Sequence, residues 1–491
     1  MECIDQGGYS SWIADLDGLA RDQELRAEVR VDMLTRIEID GFKTFTDFQL
    51  DVSPFVAIVG LNASGKSNLF DALELLSRLS TYDLAEAFTG LRGEPHELFR
   101  RRPDGSFVSR MKLAAELLLS PEVRDPWGGA VKIKHNRLRY EVVIERRRDH
   151  REIERLFVIR EEAIPILSRD DRWRTGHGTT EAHDQLLTYG RRKPLLTTAD
   201  EDGKQVFHVH QDGHQGRKRP ATAAEATVLS SMTSVDFPHL FALREEFRSW
   251  RYLQIDPAAV RRASPTTARE ILERNGSNLA TVLARIKATT ASETLPKGLV
   301  SDIALDLSSV IPGLLDLDVI EDKVNRENRV DVTMRDELPF PSRVLSDGTL
   351  RVLALLTMLH DPQHGGLLCF EEPENGIHPG RLSRLIDLIR EAVRGLSRAT
   401  DRREWGSWYQ VIVNSHSPAV LSKLREGEML FADMIRALPQ TGAGFEKRTR
   451  IRPVRSTDEG ELPLLETREF VERFEVRHYL SSVERRNGDV Q

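Results

Sequence analysis

The apolar positions along the chain change period several times, and each change marks an element. Met33-Leu34-Thr35-Arg36-Ile37-Glu38-Ile39 alternates, as does the stretch from 46 to 52, with Gly41-Phe42-Lys43 between them, a pattern that predicts a β-pair. Phe55-Val56-Ala57-Ile58-Val59 is an uninterrupted apolar run and reads as a strand. From Lys66 the period turns helical, with Leu69, Phe70, Leu73, Leu76 and Leu79 at helical spacing. Further strands are expected over 111–119, 130–145 and 155–160, the clearest being Leu138-Arg139-Tyr140-Glu141-Val142-Val143-Ile144. Residues 168–220 are polar, rich in His, Gly and Arg, and hold no period; they predict an insertion of loops with room for a hairpin. Helical spacing returns at 240–250 and 267–288, and a strong apolar block runs from Leu345 to about Leu424. No internal repeat and no sustained heptad is present.

These shifts divide the chain into an appendage at 1–32, a first core half at 33–165, an insertion at 166–255 suited to contact DNA or a partner, a helical segment at 256–365, a second core half at 366–455 and a tail at 456–491. The appendage, with Gly7-Gly8 and a polar helix-like run to Arg30, is expected to be partly disordered.

Composition narrows the class. The 491 residues, 40% hydrophobic and 30% charged, describe a globular protein with at least one large core. A net charge of -7 excludes a general polycation, so contact with nucleic acid would need local patches. Cys3 and Cys369 are the two cysteines, without a C-x-x-C, so neither a zinc site nor a disulfide framework is expected and a reducing compartment is. The N-terminus has no basic and apolar leader pattern, and no apolar run reaches the ~18 residues that a membrane span needs. The expectation is a cytoplasmic protein with no membrane partner.

The candidate chemistry begins at Gly60-Leu61-Asn62-Ala63-Ser64-Gly65-Lys66-Ser67, a G-x-x-x-x-G-K-[ST] phosphate loop between the apolar strand and the helix that the motif requires. Gly60 and Gly65 allow the backbone to wrap phosphates, and Asn62, Ala63, Ser64 and Asn68 complete the expected cradle. Lys66 is placed for the β- and γ-phosphates and Ser67 for Mg²⁺, which predicts ATP and Mg²⁺ as ligands. Gly366-Leu367-Leu368-Cys369-Phe370-Glu371-Glu372-Pro373 is an apolar strand ending in two carboxylates and suits a Walker B strand. There Glu371 would hold Mg²⁺ through water, and Glu372 would orient and polarise the attacking water. Leu345-Ser346-Asp347-Gly348-Thr349 opens a helix, with Ser346 as N-cap and Gly348 leaving room for close approach; its start would suit an anion, but alone it reads better as an ordinary capped core helix. Val411-Ile412-Val413-Asn414-Ser415-His416-Ser417-Pro418 is a strand ending at a histidine, a candidate sensor of the γ-phosphate.

In this order the motifs resemble those of ABC-class ATPases of the SMC/RecF/OLD type, in the bacterial AAA-type group that lacks a long coiled coil and a Toprim domain. Leu345 to Thr349 is similar to the signature loop, with Asp347 where Gly is commoner, and Glu371 stands where most such proteins have Asp. Asn375-Gly376-Ile377-His378-Pro379 is similar to the D-loop region, Asn275-Gly276-Ser277-Asn278-Leu279-Ala280 to a further family feature, and His416 matches the switch histidine. The resemblance spans about residues 33–425. It implies an α/β P-loop NTPase, an ABC-ATPase head with a mixed β-sheet core, an antiparallel β subdomain and a helical or irregular insertion. It also implies that two heads bind two ATP molecules between them. Lys66, Ser67 and Glu372 then act within one chain, and Ser346 and Gly348 act on the partner's γ-phosphate.

The basic runs Arg100–Arg102, Arg146–Arg148, Arg191–Lys193 and Arg217–Arg219 read equally as DNA contacts or as solvated surface. His208, His210 and His214 favour an exposed loop over a zinc site. The segment after His416 shows no acidic constellation of a Toprim nuclease, so no nuclease activity is expected in this chain, and a separately encoded effector such as a nuclease is one candidate partner beside DNA and a second copy. Arg468 to Phe474 predicts a short helix. Two functions follow from the sequence: an ATP hydrolase whose dimerisation acts as a clamp or switch in DNA repair or defence, or a slow-turnover scaffold that holds and releases an effector.

Overall fold

The structure, a computed structural model, describes residues 32–125, 127–148, 152–176, 186–211, 214–393, 409–438, 444–455 and 470–478. The expectations for residues 1–31, for the His214 side chain and for most of the 456–491 tail, including Arg468 and Glu469, lie outside the described residues.

A seven-stranded sheet organises the molecule. Its order is Arg251–Leu253, Gly366–Glu371, Tyr409–Ser415, Phe55–Val59, Met429–Ala437, Glu446–Arg455 and Val471–Glu472. The first five strands pair in parallel, and the Met429–Ala437/Glu446–Arg455 hairpin adds an antiparallel edge. The central strands are apolar throughout because both of their faces are covered. Val56, Ile58, Leu367, Cys369 and Ile412 enter one hydrophobic core, and Phe55, Ala57, Val59, Leu368, Phe370, Val411 and Val413 enter another.

The first core is closed by the Lys66–Leu79 helix and an eight-stranded antiparallel sheet. Leu69, Phe70, Leu73, Leu76 and Leu79 are all buried, as their spacing predicts. The eight-stranded sheet contains the expected pair, Met33–Asp40 with Phe48–Asp51, and then Arg110–Leu118, Arg137–Arg148 and Glu154–Pro165. The second core is closed by the helices Leu279–Thr290, Val300–Val310, Asp347–Leu359 and Leu382–Val393, with a hairpin of Leu314–Asp322 and Glu327–Met334.

Two sequence expectations change. The 168–220 stretch is more regular than a run of loops: Leu196–Glu201, Lys204–Gln211 and His214–Pro220 extend the antiparallel sheet to its far edge. Their polar residues hid the period, since among the described side chains of these strands only Leu196, Phe207 and Val209 reach the core. The helix expected over 267–288 occupies Leu279–Thr290 alone. The residues before it form a loop pinned by Asn278, whose side-chain amide donates to the carbonyls of Arg269 and Ile271 at 2.7 Å each and whose Oδ1 accepts from the Glu273 N–H at 2.8 Å. In the tail a short strand, Val471–Glu472, leads into a helical turn at 473–478.

Candidate nucleotide site

The carboxyl ends of the three central parallel strands deliver the three principal motifs to one place. Tyr409–Ser415 lies between Phe55–Val59 and Gly366–Glu371, so His416 emerges between the phosphate loop and the two glutamates. Crevices at such strand ends are where open α/β sheets bind ligands.

The loop is shaped by its glycines and by the hairpin behind it. Gly65 holds φ 93° and Ala63 holds φ 63°, left-handed values that glycine adopts at little cost and alanine does not. A Cβ on Gly60 would strike the Ala432 carbonyl, and one on Gly65 would strike the Thr449 side chain. Both glycines thus answer the 429–455 hairpin as well as a phosphate. The Lys66–Leu79 helix has no side-chain N-cap, which leaves its first N–H groups for an anion.

Lys66 is buried, and its Nζ donates to the carbonyls of Gly60 at 2.6 Å and Leu61 at 2.8 Å. Burial pulls its pKa down to about 8, against the opposing fields of Glu372, Glu374 and Glu371. The buried Ser64 hydroxyl has no hydrogen-bonding partner, an orphan that a phosphate oxygen would satisfy. Asn62 and Ala63 are exposed on the loop, and Asn68 donates to Thr44 Oγ1 at 2.9 Å.

Arg92, which no spacing rule marks, ties the metal-side residues together. Its guanidinium donates to the Ser67 carbonyl at 3.2 Å and to Asp71 at 2.9 Å, and lies 3.5 Å from Glu371. Lys43 Nζ meets the other oxygen of Asp71 at 2.6 Å. Among the described residues no three His, Cys, Asp or Glu side chains gather as a metal cage. Mg²⁺ takes one or two protein ligands and completes its shell with phosphates and water. Ser67 and Glu371, joined by one guanidinium, are the residues suited to that role.

Glu372 holds φ 51°, an unusual conformation for a residue with a side chain. Its N–H donates to the carbonyl and to the side-chain oxygen of Asn414, both at 3.1 Å, which fixes the turn to the neighbouring strand. Asn375 Nδ2 donates to Glu372 Oε2 at 2.5 Å, and His416 Nδ1 lies 3.3 Å from Glu372 Oε1. The sequence-predicted base and sensor therefore stand side by side.

Ser346 is exposed, and its Oγ caps the Asp347–Leu359 helix by accepting from the Thr349 N–H at 3.2 Å. Gly348 is buried instead of open: its Cα packs on Gly376 of the turn after Glu372, and a Cβ on either glycine would strike the other. Asp347, at the position where Gly is commoner, is paired with Arg261 at 2.6 Å, and Arg261 also donates to the Leu345 and Arg343 carbonyls.

Much of the basic surface is internally balanced. Arg100 meets Glu446 at 2.9 Å, Arg146 meets Glu154 at 3.0 Å, Arg148 meets Glu152 at 3.3 Å and Lys218 meets Glu201 at 2.6 Å, while Arg217 lies over the Phe237 ring. Arg192 and Lys193 are exposed. His208 lies 3.0 Å from Glu201 and His210 is 3.0 Å from the Thr197 hydroxyl. No described helix is long and apolar enough to cross a membrane.

No curated protein matches the chain. Among solved structures it is similar to an Smc head bound to the C-winged helix domain of ScpA, at 13% identity and TM-score 0.46, over 86% of this chain and 98% of that one. It is similar also to an Smc head with an extended coiled coil bound to the C-terminal domain of ScpA, derived from Pyrococcus furiosus, at 13% identity and TM-score 0.44, over 86% and 97%. A third is the SMC head domain of Thermotoga maritima, at 11% identity and TM-score 0.36, over 86% and 100%. A family model described as "AAA domain, putative AbiEii toxin, Type IV TA system" matches residues 55–422, from the phosphate-loop strand to just past His416. With that match over most of its length, and with the strand order and motifs described above, the chain belongs to this AAA-domain family and has the P-loop fold of an ABC-type ATPase.

Proposed function

We propose that the chain is a Mg²⁺-dependent ATP hydrolase that works as a pair of heads, closing on ATP and opening after hydrolysis, as a clamp or switch in a DNA-related process such as repair or defence against foreign DNA. The observation that carries the reading is the convergence of Lys66, Glu372 and His416 at adjacent strand ends, with Ser346 exposed on a loop packed against the same turn through Gly348 and Gly376. One chain so arranged supports its own phosphate loop and offers a second surface to another copy.

In this reading Lys66 leaves the Gly60 and Leu61 carbonyls for the β- and γ-phosphates. Glu372 accepts a proton from the attacking water, and His416 donates to the γ-phosphate as charge builds there. Asn375 and Asn414 hold Glu372 in place for that transfer. Bound Mg²⁺ supplies charge neutralisation for the phosphates. Ser346 and Gly348 of the second head cover the γ-phosphate, which makes nucleotide the link between heads. The six sequence segments from the appendage to the tail remain our working division of the chain, and the cytoplasm its proposed location.

A second reading is a slow-turnover scaffold that holds and releases a separate effector, such as a nuclease. The family description pairs the AAA domain with a putative toxin of a Type IV TA system and names no repair function. The readings separate on three measurements. Glu372→Gln should trap an ATP-bound dimer or larger oligomer in size-exclusion chromatography, and monomer alone with ATP defeats the paired-head reading. DNA-stimulated phosphate release that is lost at high salt supports the first reading over the second. Turnover unchanged by Lys66→Ala defeats both.

A further inference from the structure

Glu374 stands outside the motifs, in the turn between the paired glutamates and Gly376. Its Oε1 accepts a hydrogen bond from Ser415 Oγ, and that hydroxyl accepts in turn from the Ser417 N–H at 3.0 Å. The bond therefore ties the turn after the Gly366–Glu371 strand to the turn that carries His416. Glu374 Oε2 is buried and has no hydrogen-bonding partner. Charged groups face this carboxyl from three elements: Glu372 from its own turn, His416 from the adjacent strand end and Lys66 from the phosphate-loop helix. Burial pushes its pKa above the ordinary carboxylate range, and Glu372 pushes the same way, while the Ser415 bond, the residue's own backbone N–H and His416 oppose them.

An ionised carboxylate only accepts hydrogen bonds, so the buried Oε2 is left without a use for its lone pairs. A nucleotide entering beside Lys66 brings phosphate anions into the same desolvated space and raises the cost of that charge. Protonation removes the charge and turns Oε2 into a donor, for which phosphate oxygens and water are acceptors.

We propose, resting on the nucleotide reading above, that Glu374 is a positioning residue which takes up one proton from solvent when nucleotide binds, and that the neutral carboxyl holds the His416 turn through Ser415. The proton returns to solvent when the nucleotide leaves, so no net acid is consumed over a cycle. Uptake on binding means that affinity falls as pH rises above the carboxyl's value in the free protein.

The test is calorimetry of the full chain with Mg²⁺ and a non-hydrolysable ATP analogue, in two buffers of different ionisation enthalpy between pH 6 and 8. Glu374→Gln keeps the side chain's shape and cannot titrate. The wild type should take up more protons than this variant, by up to about one per site, and its affinity should fall by up to about tenfold per pH unit relative to the variant. Subtracting the variant removes the ionisation of the nucleotide itself. Equal uptake by the two proteins overturns the proposal. Ser415→Ala gives a second reading that does not depend on the Gln variant folding. It removes a bond that favours the charged form, so its uptake should move to higher pH, and an unmoved curve also overturns the proposal. Failure of the wild type to bind the analogue in either buffer is a different result, because it removes the nucleotide reading itself.

Discussion

Lys66, Glu372 and Gly376 each occupy a position that a smaller or larger change would spoil in a distinct way. Lys66 is held by two loop carbonyls and surrounded by three glutamates. Lys66→Ala should abolish detectable nucleotide binding in a fluorescent-analogue titration while leaving the thermal midpoint close to that of the wild type. Glu372→Gln should lower single-turnover hydrolysis by about 10²–10⁴-fold with nucleotide affinity retained, the range expected for loss of a general base. Equal losses in affinity and rate would instead mark Glu372 as a binding residue. Gly376 holds φ 80° against the Cα of Gly348. Gly348→Ala should cost about 1–3 kcal/mol through overpacking, and the same change at Gly376 adds an unfavourable backbone. Urea unfolding of both variants checks this; no change in midpoint would mean that the contact opens freely.

At the scale of elements, two buried ionic groups hold the antiparallel sheet to its surroundings. Arg137 and Asp171, both fully buried, meet through two bonds of 2.7 and 2.9 Å, with Tyr189 donating to Asp171 at 2.8 Å. Asp171→Ala should destabilise the fold by about 3–5 kcal/mol, since it strands a buried guanidinium. Glu161 accepts from the N–H groups of Val228 at 2.6 Å and Leu229 at 2.9 Å and from the Tyr140 hydroxyl at 3.0 Å. Burial outweighs these bonds and lifts its pKa to about 7. The folded state then keeps a proton that the unfolded chain has released, so this group's contribution is full at low pH and is lost as pH rises to about 7, by at most ~1.4 kcal/mol per unit. Glu161→Gln should flatten that fall, measured as the wild-type-minus-variant difference in urea midpoint from pH 5 to 8. These elements also show what a sequence can reveal. The phosphate-loop strand, its helix and the paired glutamates were legible because each repeats one period or one spacing. The strands at 196–220 were not, because a sheet edge solvated on one face carries few apolar residues. Arg92 and Glu374 were not legible either, since only folding brings Arg92 to Ser67 and Glu374 to Ser415.

Taken whole, the described molecule is two hydrophobic cores separated by one sheet, with the candidate nucleotide site at the carboxyl ends of that sheet's central strands. The phosphate-loop helix belongs to one core and the Ser346 helix to the other. If two chains complete each site, specific activity should rise with protein concentration at fixed ATP and plateau once dimers form. A rate per chain that is constant across a hundredfold dilution would show that a single head suffices. Exposed Arg192 and Lys193, in the loop before the Leu196–Glu201 strand, should contribute little to that dependence, and charge reversal there should alter DNA stimulation alone if DNA binds on this face.

The contact between Gly348 and Gly376 carries one more consequence, for the history of the sequence. Each residue's freedom to vary is cancelled by the other, since a side chain at either place would occupy the space its counterpart fills. A single step away from glycine is penalised at both ends, and no compensating second step restores the fit. Descendants of this chain should therefore keep the two glycines as a linked pair or lose both together, along with the loop geometry they set. A sequence that retained one without the other would mark a lineage in which the Ser346 loop has left this turn.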